Sequence, residues 1–180
     1  MARQLPTYGD VVAARGRIGS LACRTPLIEH PALNAAVGAR VLLKAENLQR
    51  VGAFKFRGAY NKIAAIPPER RGAGVVAYSS GNHAQGVAAA ARLLGMRATI
   101  VMPSDAPRLK RERTLALGAE IVPYDRNSED RAAIARITLS GEIDPTFGLR
   151  IATSFLPLEH ESAYTGIAVD SQDRIYAAGW

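Results

Sequence analysis

Gly74-Val75-Val76-Ala77-Tyr78-Ser79-Ser80-Gly81-Asn82-His83-Ala84-Gln85-Gly86 joins a short apolar run to a turn of small polar residues and then to an alanine-rich segment. The apolar run 74–78 has no polar alternation, which predicts a strand buried on both faces. The segment 82–94 predicts a helix. The same strand-then-helix order continues downstream. Residues 98–102 predict a strand, 107–117 a helix closed by Gly118, 120–122 a strand, and 128–137 a helix with Ser128 as its cap. Such alternation predicts an α/β fold, a three-layer sandwich with a mainly parallel sheet between two layers of helices.

Upstream, Thr7 with Asp10 three residues later predicts a variant capping box and a helix over 11–18. Residues 25–28 form a short piece marked by Pro26, and 39–45 predict a strand. Residues 54–66 predict a helix stopped by Pro67 and Pro68. After residue 137 the alanine content falls and helical periodicity is lost. Segments 166–170 and 174–178 predict a β-hairpin, although its turn lacks the favoured Asn-Gly pair.

The chain has 180 residues, 48% of them apolar and 22% charged, with a net charge of +7. That length makes one ordinary domain, or one domain plus a fragment, and that apolar fraction excludes a disordered chain. Residues 1–137 hold 21 basic and 10 acidic side chains, against 2 and 6 in 138–180. The dense basic run, residues 108–113, falls in a predicted amphipathic helix and reads as a solvated face. No aromatic platform accompanies it, so no nucleic-acid partner is expected. No apolar run reaches the roughly 18 residues of a membrane span, so no membrane partner is expected. Residues 1–10 lack the plan of a secretory signal, and the single Cys23 cannot close an internal disulfide. A reducing, cytoplasmic setting is the expectation, with Cys23 as a buried small apolar residue. His30 and His160 have no partner pattern, so no metal site is expected.

Two stretches carry chemistry. In Gly52-Ala53-Phe54-Lys55-Phe56-Arg57-Gly58-Ala59 a lysine stands between two aromatic residues. Desolvation lowers an amine pKa, and such a lysine can form a Schiff base with an aldehyde cofactor. The second stretch is the turn 79–83. Open α/β sheets bind ligands beyond the carboxyl ends of their strands, where a helix start offers N–H groups to a carboxylate or phosphate. The side chains of Ser79, Ser80, Asn82 and His83 add short hydrogen-bonding groups there. His83 reads as a cap and hydrogen-bonding residue rather than a general base. The absence of G-x-G-x-x-G and of GK[ST] argues against a dinucleotide fold and a P-loop.

Lys44-Ala45-Glu46-Asn47-Leu48-Gln49, then Phe54-Lys55-Phe56-Arg57-Gly58-Ala59, then Ser79-Ser80-Gly81-Asn82-His83-Ala84-Gln85-Gly86 closely resemble the threonine/serine dehydratase and serine racemase family. These are fold-type II enzymes that use pyridoxal 5'-phosphate. The similarity runs over about residues 8–137, with motif order and spacing intact. It implies a tryptophan synthase β-like fold. It implies that Lys55 is the cofactor-bound, catalytic lysine, that Phe54 lies against the cofactor ring and that Asn82 bonds the pyridine 3-hydroxyl. Ser79, Ser80, Asn82 and His83 would hold the substrate α-carboxylate. Arg131 stands where racemase-like members place a second carboxylate contact. Ala53 replaces a common serine. Ser80, where biosynthetic dehydratases often carry alanine, resembles racemase-like members in which it exchanges a proton on the face opposite the lysine.

The implied reaction is dehydration and deamination of a free amino acid, threonine or serine, to a 2-oxo acid and ammonia. Serine racemisation and dehydration of a hydroxyaspartate remain alternatives, and a homo-oligomer is implied. A cysteine synthase is a further alternative, disfavoured by the Asn-His-Ala-Gln-Gly run. Complete members are longer. They add a glycine-rich phosphate loop, a later Ser, Thr or Cys at the pyridine nitrogen and, in racemase-like members, a metal site. The expectation is therefore a truncated domain: 1–137 as the N-terminal part of a pyridoxal-phosphate-dependent dehydratase, and 138–180 as an unrelated β-rich tail from a fusion or frameshift. That tail resembles one unit of a β-propeller-like repeat, which cannot bury its own face. Little activity of the chain alone is expected, and an inactive remnant or a pairing subunit is the non-enzymatic alternative.

Overall fold

The computed structural model describes residues 6–135 and two later strands, 166–169 and 175–178. In chain order the elements are α1 (Tyr8–Ile18), β1 (Leu27–Glu29), α2 (Pro31–Val37), β2 (Leu42–Lys44), α3 (Lys55–Ala64), β3 (Val75–Tyr78), α4 (Asn82–Leu93), β4 (Ala98–Pro103), α5 (Arg108–Ala116), β5 (Glu120–Tyr124), α6 (Arg131–Ala135), β6 (Gly166–Val169) and β7 (Ile175–Ala178). The main sheet has the order β5-β4-β3-β7-β6. Its pairings are parallel from β5 through β7, and β6 closes the edge antiparallel to β7. β1 and β2 form a separate antiparallel pair.

Side chains of a strand point alternately to opposite faces, so a strand buried on both sides feeds two cores. Val75, Ala77, Ile100 and Met102 join Phe56, Tyr60, Ile63 and the α4 alanines in the larger cluster. Val76, Val101 and Tyr124 join Ala135 of α6 in the other. Ala88, Ala89, Ala90 and Ala91 are all buried, because α4 lies between the sheet and α3 where only small side chains fit. The expected α/β sandwich is present.

Four expectations change. The sequence reading had no helix at Pro31–Val37, yet Pro31 opens one, His30 Nδ1 caps it by accepting from the Ala32 N–H, and Gly38 ends it at φ 68°. The strand expected over 39–45 shrinks to Leu42–Lys44, whose residues are exposed and pair only with β1. Ser128 does not cap a helix: its hydroxyl donates to Asp125 Oδ2 at 2.8 Å, and α6 starts only at Arg131. The Asp125 side chain wins because it also accepts the Asn127 N–H at 2.9 Å, organising a local turn. Cys23 is exposed rather than buried, because its backbone, not its thiol, makes the contacts that hold the segment. The two hairpin strands form as expected, while their turn lies outside the described residues. Of 138–180 only β6 and β7 are described, and β7 runs parallel to β3 with Val76 opposite Tyr176.

Candidate active site

The approach to Lys55 is built from polar clamps. Gln49 is buried: its Oε1 accepts the Cys23 N–H and its Nε2 donates to the Cys23 carbonyl, each at 2.8 Å. Glu46 accepts from Arg57 Nε and Nη2, both at 2.8 Å, and from the Thr25 hydroxyl at 2.6 Å. The Arg57 hydrogen bonds, outweighing the effect of burial, hold the Glu46 carboxyl down at about 2. Between these clamps the chain reverses through Val51 at φ 59° and Gly52 at φ 69°. The left-handed region suits glycine but strains a β-branched residue. The Val51 side chain packs on the main core, which holds the turn. That turn delivers Lys55 to the first position of α3.

Lys55 is half-buried, and its Nζ lies 5.1 Å from the centroid of the Phe54 ring, itself 58% exposed. The second half of the site starts where β3 ends. The Ser79 N–H donates to the Val101 carbonyl at 3.1 Å, anchoring the turn to β4. Ser79 Oγ accepts the Gly81 N–H at 3.3 Å. The first N–H groups of α4 have no acceptor inside the helix and present the positive end of its dipole. Ser80 is half-buried and Asn82 exposed.

Gly86 brings the two halves together. A Cβ there would stand 3.1 Å from the carbonyl carbon and oxygen of Lys55 and 3.3 Å from the Phe56 nitrogen. Only a residue without a side chain lets α4 pass this close to the start of α3. His83 is 1% exposed, and its Nε2 has no hydrogen-bond partner. Burial first, and the charge of Lys55 second, lower its pKa to about 4, so the imidazole is neutral at pH 7.

Lys55 and the turn bearing Ser79, Ser80, Asn82 and His83 thus meet at the carboxyl end of β3. Arg131 reaches the same strand end differently, its Cζ 5.0 Å from the centroid of the Tyr78 ring, beside the other core. Glu46, Gln49, Arg57 and Gly86 were not singled out by sequence reasoning. A glycine inside an alanine-rich helix was the one available signal for Gly86. The polar clamps lie inside the motifs that carry the family resemblance, but their pairing was not legible, because their partners lie far along the chain. Among the described residues no group of His, Cys, Asp or Glu could hold a metal ion, and no helix there is long and apolar enough to cross a membrane.

An amine together with a helix start, whose first N–H groups lack acceptors inside the helix, is a donor set suited to Schiff-base chemistry on an amino acid. The chain is 55% identical over 133 residues to an L-threo-3-hydroxyaspartate ammonia-lyase of Pseudomonas sp, covering 74% of this chain and 42% of that protein. It is 43% identical over 141 residues to an L-threonine ammonia-lyase of Thermotoga maritima, covering 78% of this chain and 35% of that one. The solved maize serine racemase superposes with a TM-score of 0.66 at 41% identity, over 69% of this chain and 38% of that one. The chain therefore spans only about two fifths of the length of these relatives. The family model described as pyridoxal-phosphate dependent enzyme matches residues 19–168, and the chain belongs to that family.

Proposed function

We propose that the chain carries the amine-bearing half of an ammonia-lyase site that dehydrates a β-hydroxy amino acid, threonine or serine in the first reading, to a 2-oxo acid and ammonia. The observation that carries this is the close approach of the Lys55 backbone to Gly86, together with the effect of the Lys55 charge on buried His83 in the first turn of α4.

The residues fit the aldehyde and ring of pyridoxal phosphate. A half-buried amine stands beside an exposed aromatic face, and a buried imidazole nitrogen at the same turn lacks a partner. Lys55 would hold the group covalently, Phe54 would lie against its ring, and Asn82 would bond its 3-hydroxyl. When bound, the cofactor supplies an aldehyde for the substrate amine and a ring that withdraws electrons from Cα. The rest is the work of this chain. The helix start at Ser79, Ser80, Asn82 and His83 grips the α-carboxylate and turns the Cα–H bond toward Lys55. Once the substrate amine has taken its place, Lys55 Nζ would be free to take the Cα proton and to return it to the departing β-hydroxyl, so that water leaves. The enamine released then hydrolyses to the 2-oxo acid and ammonia. Neutral His83 accepts no proton in this scheme; its burial keeps water and a competing charge away from Lys55.

Two observations favour related outcomes on the same site. Identity of 55% to the hydroxyaspartate ammonia-lyase, against 43% to the threonine enzyme, supports a substrate with a second carboxylate, which Arg131 would contact. Ser80, at the same turn, would return a proton to Cα from the other side and give racemisation. The same reading carries a homo-oligomeric, cytoplasmic enzyme and a division of the chain near residue 137.

Borohydride reduction of the chain mixed with pyridoxal phosphate, followed by peptide mapping, tests the assignment. The pyridoxyl label is expected on Lys55, and Lys55→Ala is expected to abolish it. A label on another lysine, retained in Lys55→Ala, overturns the reading.

A further inference from the structure

We propose that Arg57 is a positioning residue for Lys55: its guanidinium fixes the roll of the first turn of α3, and with it the direction in which the amine is presented. The inference rests on the ammonia-lyase reading and adds to it a residue that acts only through Lys55.

Helix chemistry does not account for an arginine at this place. The first turn of α3 carries Lys55 and Arg57, holds no acidic residue, and starts at Phe54 without a side-chain cap. Cations are disfavoured at the positive end of a helix dipole, and helix ends without caps fray. The turn is also closed loosely, the Phe56 N–H meeting the Ala53 carbonyl at 3.5 Å. Lys55 supplies an amine, which is reason enough for its presence. Arg57 supplies an anchor.

Three successive residues hold the turn. Phe56 is fully buried in the main core, with its ring 5.7 Å from that of Tyr60 and 5.8 Å from the Arg50 guanidinium carbon. The Lys55 backbone lies against Gly86. Both of these contacts are on the inner side of the turn, and the turn can still roll about them. Arg57 follows Phe56 by about 100° around the helix axis. Its Nε and Nη2 donate to different oxygens of Glu46, each at 2.8 Å, and Nη2 also donates to the Cys23 carbonyl at 3.0 Å. Glu46 accepts the Thr25 hydroxyl as well, and the Cys23 backbone is held by buried Gln49. One planar fork therefore ties the start of α3 to the segments 23–25 and 46–49. A roll of the turn would break all three of its hydrogen bonds together. Lysine carries the same charge as a single point and cannot reproduce that fork.

The test compares the unmodified chain with Arg57→Lys, which keeps a charge opposite Glu46 and loses the fork. Lys62, exposed near the end of the same helix, is the internal reference. Two readouts are taken: the NMR signals of both lysines without cofactor, and the rate at which each takes a pyridoxyl label under borohydride. In Arg57→Lys the Lys55 signals are expected to shift or broaden while those of Lys62 stay. Labelling of Lys55 is expected to slow about tenfold relative to Lys62, the kind of loss that misplacing a reacting group brings. The urea midpoint is expected to stay close to that of the unmodified chain. An unchanged labelling ratio, unchanged Lys55 signals, or a parallel loss at both lysines each overturns the inference, because the fork then serves only the stability of α3. Preferential labelling of Lys55 that Arg57→Lys leaves intact removes this inference and spares the ammonia-lyase reading. Absence of label from Lys55 in the unmodified chain removes that reading, and the cofactor-free signals still decide whether Arg57 holds the turn.

Discussion

Gly86 and Gly58 both sit inside helices, and the structure assigns them opposite fates. A methyl group at Gly86 meets the Lys55 backbone at 3.1 Å, and backbone cannot swing aside as a side chain can. Gly86→Ala is expected to cost about 1–3 kcal/mol in urea unfolding, the range for overpacking, and to slow pyridoxyl labelling of Lys55. Nothing lies within 4 Å of a Cβ at Gly58. Gly58→Ala is expected to stabilise the chain by up to about 1 kcal/mol through helix propensity alone. Equal effects at the two positions would mean that the α3–α4 approach does not depend on Gly86. The Glu46–Arg57 pair is the other residue-scale support of the lysine. Arg57→Leu leaves a carboxylate with a 17% exposed side chain, hydrogen-bonded to Thr25 and still near the charge of Lys44. It is expected to cost about 2 kcal/mol, less than a fully buried pair because water still reaches the site. Chemical denaturation with and without Glu46→Gln in the same chain checks the coupling.

At the scale of elements, legibility followed the range of the forces. The capping box that opens α1 appears as expected, with Thr7 Oγ1 accepting the Asp10 N–H at 3.3 Å and Asp10 Oδ2 accepting the Thr7 N–H at 2.7 Å. α1 buries no residue of its own fully, although Ile18 packs against the core. Thr7→Ala is therefore expected to cost about 1 kcal/mol, as a lost cap does, and to show as faster amide exchange in α1 with little change in the α4 amides. The buried strands β3 and β4 were legible from apolar runs, and α3 and α4 from periodicity and proline stops. α2 was missed although Pro31 and Gly38 mark its ends, because only seven residues stand between the caps and none of them is buried. The expected start of α6 at Ser128 failed because the Asp125 carboxylate engages the Ser128 hydroxyl and the Asn127 N–H in a turn of its own.

Acid sensitivity is a property of the whole molecule. His83 has its folded pKa lowered from 6.5 to about 4, so the unfolded chain takes up a proton that the folded chain refuses. Stability from this group is complete above pH 6.5, falls as pH drops toward 4, and changes no further below that. The loss is about 3 kcal/mol at the conversion of 1.36 kcal/mol per pH unit. Glu46, lowered from 4.5 to about 2, extends the decline: its contribution is present above pH 4.5 and is lost as pH falls toward 2. Urea midpoints measured from pH 7 to pH 3 are expected to fall across the whole range. His83→Gln is expected to flatten the part between 6.5 and 4, and an unchanged slope there would show that His83 titrates normally.

Across the whole chain, the sequence by itself determined the alternation of strands and helices and the positions of Lys55 and of the small polar turn 79–83 at the starts of two helices. Each of these depends on spacing within a few residues, where periodicity, capping and turn chemistry act. Tertiary structure alone decided what holds the lysine in place. Glu46 finds Arg57 and Thr25 at separations of 11 and 21 residues, and Gln49 finds Cys23 at 26. Gly86 reaches Lys55 only because α4 packs where it does. Local pattern carries no record of such partners, since a polar or glycine residue looks the same in a sequence whether it ends in water or against another helix. Packing makes that choice, and with it the placement of the amine.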